Sequence, residues 1–285
     1  MMPGGKQIRL GLIGDNITSS RSPDLHRLAG QLCGLNVIYD LLIPSEMGLD
    51  FDAVLDRCAS KGYRGVNITY PYKERAVERV AISDPLIRRI GSVNTVVFES
   101  GVMRGYNTDH TGFVSAFRQQ FGGMEPGAVA LVGAGGVGKA VALGLLLLGA
   151  SEIRIVDRDI EKAVSLAASL QQASGGKLRA SSHTAAETAL PGASGVVNCT
   201  PVGMIGYPGT PVPRQFLAGC SWAFEAVYTP VQTELKSDAE ASGLKVLSGY
   251  ELFIHQGVEA FQIFTGRSPE DQQILRKLLK NASWS

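Results

Sequence analysis

Three glycines in the middle of the chain have a spacing that suits contact with phosphate groups. Gly133, Gly135 and Gly138 form the pattern G-x-G-x-x-G between the apolar segment Ala128–Val132 and a long helical pattern. In such a loop the first glycine permits a tight turn, the second lets the backbone approach a pyrophosphate, and the third lets helix and strand pack closely. Main-chain N–H groups and the positive end of the helix then face the phosphates. The residues predicted to bind a dinucleotide here are Gly133, Ala134, Gly135, Gly136, Val137 and Gly138.

An acidic residue follows at the distance where a ribose would be bound. Asp157 ends the next apolar segment, 19 residues after Gly138 (157 − 138 = 19), and a ribose-binding acid is expected after about 20. Its carboxylate would repel the 2′-phosphate of NADP, because two unit charges at about 4 Å cost about 4 kcal/mol at an effective dielectric near 20. This predicts NAD as the cofactor, with NADP left open because Arg158 could hold a phosphate. The alternative is a structural glycine turn with Asp157 capping a helix.

Polar clusters in the first part of the chain offer a second kind of chemistry. They lie at residues 19–23, at 67–73, and at 94–95 with 107–109. Each follows a predicted strand, and ligands in open α/β sheets bind at the carboxyl ends of strands. Together they supply hydroxyls, amides, one ammonium and one carboxylate, which suits a polyhydroxylated small molecule. Each also has a structural interpretation, as a helix start at Ser22, a turn at Asn94, or a solvated charge at Lys73.

Short apolar segments that alternate with helical patterns predict the elements that position these residues. The pattern is typical of an α/β fold with parallel strands. Strands are predicted at 8–14, 37–42, 65–69, 93–98, 102–106, 128–132, 152–156, 178–182, 195–198, 222–226 and 245–247. We expect an N-terminal α/β substrate domain at 1–110 and a Rossmann-type, doubly wound parallel sheet at 111–250. The C-terminal helices, within 251–285, are predicted to fold back on the first domain.

Composition narrows the class of protein. Of 285 residues, 45% are hydrophobic and 19% charged, as in ordinary globular proteins. The net charge of +1 gives no electrostatic reason to expect nucleic acid or an anionic membrane as partner. Four scattered cysteines without a C-x-x-C pair are typical of reduced thiols and predict no metal site. With no signal-peptide core and no apolar run near the roughly 20 residues of a membrane span, we expect a cytoplasmic monomer or homodimer.

Eight motifs, in this order along the chain, resemble those of the shikimate/quinate dehydrogenase family. They are S-R-S-P (20–23), N-I-T-Y-P-Y-K (67–73), G-S-V-N-T (91–95), G-Y-N-T-D (105–109), G-A-G-G-V-G (133–138), N-C-T-P-V-G-M (198–204), V-Y-T-P (227–230) and H-Q-G-V-E-A-F (255–261). Single motifs are weak signals, but the ordered set covers nearly the whole chain.

The resemblance implies a role for each matching residue. It implies that Lys73 and Asp109 form the catalytic pair. The implied substrate contacts are Ser20, Ser22, Asn67, Thr69, Asn94, Tyr228 and Gln256. The implied cofactor contacts beyond the glycine loop are Asp157, Arg158, Thr200, Met204 and Gly249. Whether Lys73 acts as a base or mainly positions and polarises the oxygen stays open, because a free lysine has a pKa of about 10.4.

The implied activity is reversible transfer of a hydride between NAD and a ring secondary alcohol of shikimate, quinate or both, of the 3-dehydrogenase type. Such an enzyme would belong to aromatic amino acid biosynthesis or to catabolism. Many NADP-using members carry N-R-T where this chain has D-R-D at 157–159, which favours the NAD-using branch. The usual G-x-G-M is G-Y-E-L at 249–252, which leaves the substrate open. The alternatives are a dehydrogenase of an aminated or other cyclic hydroxy acid, and a non-catalytic NAD-binding sensor.

Overall fold

The computed structural model of the chain describes residues 7–282, and these form two compact units. The first contains the described residues up to Thr108 and from Gln256 onward, and the second runs from Asp109 to His255. The domain limits predicted from the sequence, 110 and 251, lie a few residues from these divisions. We keep those limits as a prediction.

A five-stranded sheet forms the centre of the first unit. Its elements are β1 (Ile8–Ile13), α1 (Ser22–Leu32), β2 (Val37–Leu42), α2 (Pro44–Met47), α3 (Phe51–Ser60), β3 (Gly65–Ile68), a 3₁₀ turn (Arg75–Glu78), α4 (Pro85–Ile90), β4 (Thr95–Glu99) and β5 (Val102–Tyr106). The strand order is β2-β1-β3-β4-β5. β1 is parallel to β2 and β3, whereas β4 and β5 are antiparallel, as the predicted hairpin requires.

Apolar side chains cover this sheet on both faces. One cluster contains Ile13, Val54 and Val66, and the other contains Leu10, Tyr39 and Phe264. Burial on both faces explains why β1 and β3 are nearly continuous apolar runs in the sequence.

The last two helices are α10 (Gly249–Thr265) and α11 (Gln272–Asn281). The part of α10 from Gln256 onward and all of α11 belong to the first unit. The Arg21 guanidinium donates to the carbonyl of Leu279 at 2.7 Å. That these helices complete the first domain stays a prediction, and the hydrogen bond from Arg21 to Leu279 supports it.

The second unit is a six-stranded parallel sheet. Its elements are α5 (Thr108–Phe121, from Asp109 onward), β6 (Ala128–Val132), α6 (Gly136–Leu147), β7 (Glu152–Val156), α7 (Ile160–Ala173), β8 (Arg179–His183), α8 (Ala186–Ala189), β9 (Gly195–Asn198), a 3₁₀ turn (Arg214–Leu217), β10 (Trp222–Glu225), α9 (Glu234–Ala241), β11 (Lys245–Ser248) and the start of α10. The strand order β11-β10-β9-β6-β7-β8 is the doubly wound order of dinucleotide-binding sheets. The predicted Rossmann-type fold is confirmed.

Most differences from the predicted elements have a simple physical reason. Three helices that the sequence did not reveal, α2, α4 and α8, have four to six residues, too few for a 3.6-residue period to be visible. The eight-residue α9 buries only Leu235 and Ala239, which gives a similarly weak pattern.

Within residues 7–282 no helix has the length and apolarity to cross a membrane. In the same range, no group of three or more His, Cys, Asp or Glu side chains is placed to hold a metal ion. All four cysteines are free thiols.

Candidate active site

A buried network of two asparagines lies where β3 ends and β4 begins in the first unit. The Asn67 Oδ1 atom accepts a hydrogen bond from the Tyr39 hydroxyl at 2.9 Å, and Asn67 Nδ2 donates to Thr95 Oγ1 at 3.0 Å. Asn94 Oδ1 accepts from the backbone N–H of Thr108 at 2.7 Å, and Asn94 Nδ2 donates to Thr108 Oγ1 at 3.0 Å. Because each amide is bonded through both its oxygen and its nitrogen, the orientation of both side chains is fixed.

This network continues to α10 and to the start of α5. Thr108 Oγ1 lies 3.5 Å from Gln256 Oε1, so Gln256 joins the two asparagines. Asp109, the second residue of α5, is only 5% exposed. Asn94 therefore holds the N–H and the hydroxyl of Thr108, the first residue of α5.

Lys73 lies in a hydrogen-bonded segment after β3. Lys73 is 8% exposed. Its backbone carbonyl accepts a hydrogen bond from the N–H of Val93 at 2.9 Å. The preceding Tyr72 donates its hydroxyl to Asp15 at 2.8 Å and stacks on Phe51 at 4.9 Å. Burial and the hydrogen bond to Asp15 raise the pKa of Tyr72 to about 12. Tyr72 therefore stays protonated and keeps the lysine turn attached to the segment after β1.

Two serine hydroxyls stand at the start of α1. Ser20 Oγ donates to Ser22 Oγ at 3.2 Å, and it accepts from the N–H of Ser22 at the same distance. Thr69 is placed at the end of β3, where its N–H donates to the last residue of β1 at 2.9 Å. Paired hydroxyls beside a helix N-terminus can donate to a carboxylate.

In the second unit the glycine loop joins β6 to α6. A Cβ atom on Gly133 would lie 2.8 Å from the carbonyl carbon of Cys199, and one on Gly138 would overlap the carbonyl oxygen of Gly133. Gly135 is the N-cap of α6, and a Cβ there would have no atom of the described residues within 4 Å. The first and third glycines are therefore required by the backbone, whereas the second faces open space. The first turn of α6 carries no acidic side chain, so its positive end is available to phosphate.

Asp157 is attached to the glycine loop. Its Oδ2 atom accepts from the N–H of Ala134 at 2.7 Å, and its Oδ1 atom accepts from the N–H of Asp159 at 2.9 Å. The cap of α7 is Asp159, which accepts from the N–H of Glu161. The structural alternative, in which Asp157 caps a helix, is wrong. Each oxygen of this carboxylate has a second lone pair for a ribose hydroxyl, and Arg158 beside it is exposed.

The turn after β9 lies next to the glycine loop, since β9 neighbours β6 in the sheet. Asn198 Oδ1 accepts from the N–H and the hydroxyl of Thr200 at 2.9 and 2.7 Å. Asn198 Nδ2 donates to the carbonyl of Val202 at 3.1 Å, and Met204 follows, half-buried. The strand order reverses between β6 and β9, which is where doubly wound sheets bind dinucleotides.

Gly249 begins α10 against the loop after β10. A Cβ atom on Gly249 would overlap the carbonyl oxygen of Ala226. In the same unit, the ring of Tyr228 stacks on Phe253 with centroids 5.3 Å apart. The structure therefore brings Gly249 and Tyr228 to the ends of β11 and β10, beside the turn that carries Thr200.

Sequence reasoning missed the side chains that hold these residues in place. Tyr39 was read as part of a strand, although its hydroxyl orients Asn67. The sequence places Glu225 only within the predicted strand 222–226, but it accepts from Asn198 Nδ2 at 2.9 Å and from Thr233 Oγ1 at 2.9 Å. Burial raises the pKa of Glu225 to about 7. The available signal was one acid inside an otherwise apolar strand.

Three family descriptions match successive parts of the chain. "Shikimate dehydrogenase substrate binding domain" matches residues 12–96, "Shikimate / quinate 5-dehydrogenase" matches 115–200, and "Shikimate 5'-dehydrogenase C-terminal domain" matches 249–279. The expected 3-dehydrogenase type is therefore wrong, since the matching descriptions specify a 5-dehydrogenase.

Known proteins match over nearly the full length. The chain is 37% identical to the shikimate dehydrogenase (NADP(+)) of Pseudarthrobacter chlorophenolicus, over 95% of this chain and 94% of that protein. It is also 37% identical to the quinate/shikimate dehydrogenase (NAD(+)) of Corynebacterium efficiens, over 94% and 96%. Among solved structures, quinate dehydrogenase from Corynebacterium glutamicum in complex with NAD is 34% identical, with a TM-score of 0.87 over 96% of this chain and 99% of that one.

Proposed function

The chain belongs to the shikimate/quinate dehydrogenase family, and we propose from this membership that it transfers a hydride reversibly between NAD and a ring secondary alcohol of shikimate, quinate or both. The observation that carries the proposal is the buried network of Asn67, Asn94 and Thr108 at one end of the first sheet. Amides fixed in this way suit a ligand with several ring hydroxyls, because a site built to hydrogen-bond hydroxyls rejects analogues that lack them.

The substrate would be held by side chains of known placement. Ser20 and Ser22 would donate to its carboxylate from the start of α1. Asn67, Asn94 and Gln256 would bond its ring hydroxyls. Thr69 and Tyr228 complete the proposed contacts.

Lys73 would handle the proton of the reacting hydroxyl. In the oxidative direction, the reacting hydroxyl would lose its proton while it is hydrogen-bonded to Lys73 and the carbon would lose a hydride, and reduction returns both. The bound cofactor supplies the hydride chemistry. Asp109, the second member of the proposed pair, would bond the substrate from the start of α5, directly after Thr108, which Asn94 holds. The buried backbone around Lys73 supports this role, since proton transfer needs a fixed distance to the oxygen.

We propose that NAD is preferred over NADP. The Asp157 carboxylate is fixed by the N–H groups of Ala134 and Asp159, so it cannot swing away from a 2′-phosphate without breaking both bonds. A tenfold to hundredfold preference needs only about 1.4–2.8 kcal/mol.

Initial rates for shikimate and quinate, each with NAD and with NADP, test this function. We expect turnover with at least one of the two acids and a preference for NAD of about tenfold or more. A preference of the wild type for NADP would contradict the argument from Asp157. If NADH binds but neither acid reacts, the result favours one of the two alternatives: a dehydrogenase of another cyclic hydroxy acid, or a non-catalytic NAD-binding sensor.

Replacing Asp157 should reduce the preference for NAD over NADP. Asp157→Ala removes the negative charge, so the ratio of kcat/KM for NAD to that for NADP should fall by about tenfold. Asp159→Ala is the matched control: it removes the neighbouring acid and the cap of α7. It should lower stability while leaving most of the preference intact. If both substitutions change the ratio of kcat/KM for NAD to that for NADP equally, Asp157 does not distinguish the ribose of NAD from the 2′-phosphate of NADP.

We also propose a cytoplasmic location and a monomeric or homodimeric state. Four free thiols suit a reducing compartment. Light scattering of the purified protein measures the oligomeric state.

A further inference from the structure

We propose that Glu225 is a positioning residue whose protonation state controls the turn after β9 and the loop after β10, and through them the affinity for the nicotinamide cofactor. The inference rests on the proposed function, because it assumes that Thr200 and Met204 line the nicotinamide end of the cofactor site. All the contacts that carry it lie within the second unit.

Three hydrogen-bond donors converge on the Glu225 carboxylate. Its Oε1 atom accepts from Asn198 Nδ2 at 2.9 Å and from the N–H of Val227 at 3.0 Å, and its Oε2 atom accepts from Thr233 Oγ1 at 2.9 Å. The residue is 1% exposed. The carboxylate therefore joins the end of β9, the loop after β10 and the start of α9.

Through Asn198, Glu225 determines the shape of the turn that carries Thr200. The Asn198 amide is fully buried, and its nitrogen donates both to Glu225 and to the carbonyl of Val202. Because its nitrogen faces Glu225, its oxygen faces Thr200 and accepts two hydrogen bonds there. A donor in place of the Glu225 oxygen would oppose the Asn198 nitrogen and leave the carbonyl of Val202 as the acceptor for that nitrogen, so the amide would be held less firmly.

The same carboxylate holds both ends of the loop at 227–233. Val227 begins this loop, and Thr233 ends it as the N-cap of α9, where its oxygen also accepts from the N–H of Lys236 at 3.2 Å. The Thr233 hydroxyl proton is thus the one donated to Glu225. Tyr228, a proposed substrate contact, lies in the loop between these two attachments.

Ionisation of Glu225 is finely balanced. The three donors that bond it in the described part of the chain favour the charged carboxylate, whereas its burial favours the neutral acid. Burial dominates and raises the pKa to about 7, while the bonds from Val227, Thr233 and Asn198 lower it. The side chains that face it from the neighbouring elements are uncharged: Asn198 on β9, Ser248 on β11 and Thr233 at α9.

Protonation should therefore loosen both loops in the neutral range. A protonated Glu225 presents an O–H where the structure provides donors, so at least one of the three hydrogen bonds is lost or weakened. The loss of one such bond is equivalent to about a tenfold change in an equilibrium constant. Affinity for the cofactor should fall as the pH decreases through about 7.

The test is direct binding of NADH, followed by its fluorescence, from about one pH unit below to one unit above the Glu225 pKa. The wild type should bind NADH up to about tenfold more weakly at the acidic end. Glu225→Gln imitates the protonated acid, so it should bind weakly with little change over this pH range. Glu225→Asp keeps the charge on a shorter side chain, and it should keep a pH dependence with a displaced midpoint.

Glu152→Gln is the matched control. Glu152 lies at the start of β7 in the same sheet and pairs with Arg154 at 2.8 Å. Its replacement should leave the pH dependence of NADH binding unchanged. If Glu225→Gln does not fold, the displaced midpoint of Glu225→Asp decides the question.

The outcomes separate the two proposals. A wild type that fails to bind NADH at any pH overturns the proposed function. Normal binding that does not change with pH, or a Glu225→Gln protein with the wild-type pH profile, overturns the role of Glu225 alone.

Discussion

The two units offer ligands opposite kinds of surface. In the first, the candidate site consists of side chains that are buried and bonded to each other, such as Asn67 and Asn94. In the second, the glycine loop offers main-chain atoms, and the positions of Gly133 and Gly138 exclude any side chain. A site made of side chains depends on residue chemistry, whereas one made of backbone depends on the absence of a Cβ atom. Substitutions should therefore affect the two units in different ways.

The largest effect should come from Lys73, the proposed proton-handling residue of the first site. Lys73→Ala removes the group proposed to move the proton, so kcat should fall at least ~100-fold with a smaller change in KM. Lys61→Ala, an exposed lysine after α3, is the control and should keep normal rates. Near-normal turnover of Lys73→Ala would remove this residue from the chemistry.

Next in size is the loss of one buried amide. Asn94→Ala leaves the buried N–H of Thr108 without its 2.7 Å acceptor, which should cost about 1–3 kcal/mol in the free energy of unfolding. KM for the substrate should rise, because Thr108 and, through it, Gln256 lose their fixed position. Asn281→Ala, at the exposed end of α11, should change neither quantity. An unfolding energy of Asn94→Ala equal to that of the wild type would show that the network does not stabilise the first unit.

Acid should shift the stability of the two units in opposite directions. Burial lowers the pKa of His26 in the first unit to about 3 from 6.5. The contribution of His26 to the free energy of unfolding is present above pH 6.5 and is lost as the pH falls. Glu225 in the second unit has its pKa raised to about 7 from 4.5, so its contribution grows as the pH falls from 7 toward 4.5. Between about pH 7 and pH 5 each effect amounts to about 2 kcal/mol.

Single variants should expose these opposing slopes. His26→Gln should become more stable on acidification over this range, and Glu225→Gln less stable. Chemical denaturation at the two pH values measures both. If both variants keep the wild-type pH dependence, burial does not shift these groups as described.

The smallest change tests the open space at the glycine loop. Gly135→Ala adds a methyl group that meets no atom of the described residues within 4 Å, so the fold should lose no more than about 1 kcal/mol at this N-cap. The same methyl would occupy the space proposed for the pyrophosphate, and NADH should bind about tenfold more weakly. Gly123→Ala also meets nothing within 4 Å of the described residues and should bind NADH normally. Unchanged NADH affinity in Gly135→Ala would place the phosphates elsewhere.

The sequence predicted this contrast only in part. The glycine loop and its strands could be predicted because their signals are local: a fixed spacing of glycines and apolar runs such as Ala128–Val132. The family resemblance supplied roles for Asn67 and Asn94 but not the contacts that hold them. Tyr39 bonds Asn67 across 28 positions of sequence, and Glu225 bonds Asn198 across 27. Pairing at that distance is set by sheet order, which no local pattern records.

One experiment tests most directly whether the first unit binds the substrate through side chains and the second binds the cofactor through backbone. It determines Kd for NADH and KM for shikimate or quinate in Gly135→Ala, in Asn94→Ala and in the wild type. We expect Gly135→Ala to weaken NADH binding about tenfold with little change in Asn94→Ala, and the substrate KM to rise mainly in Asn94→Ala. Equal changes of both constants in both variants would contradict a substrate site of side chains in one unit and a cofactor site of backbone in the other.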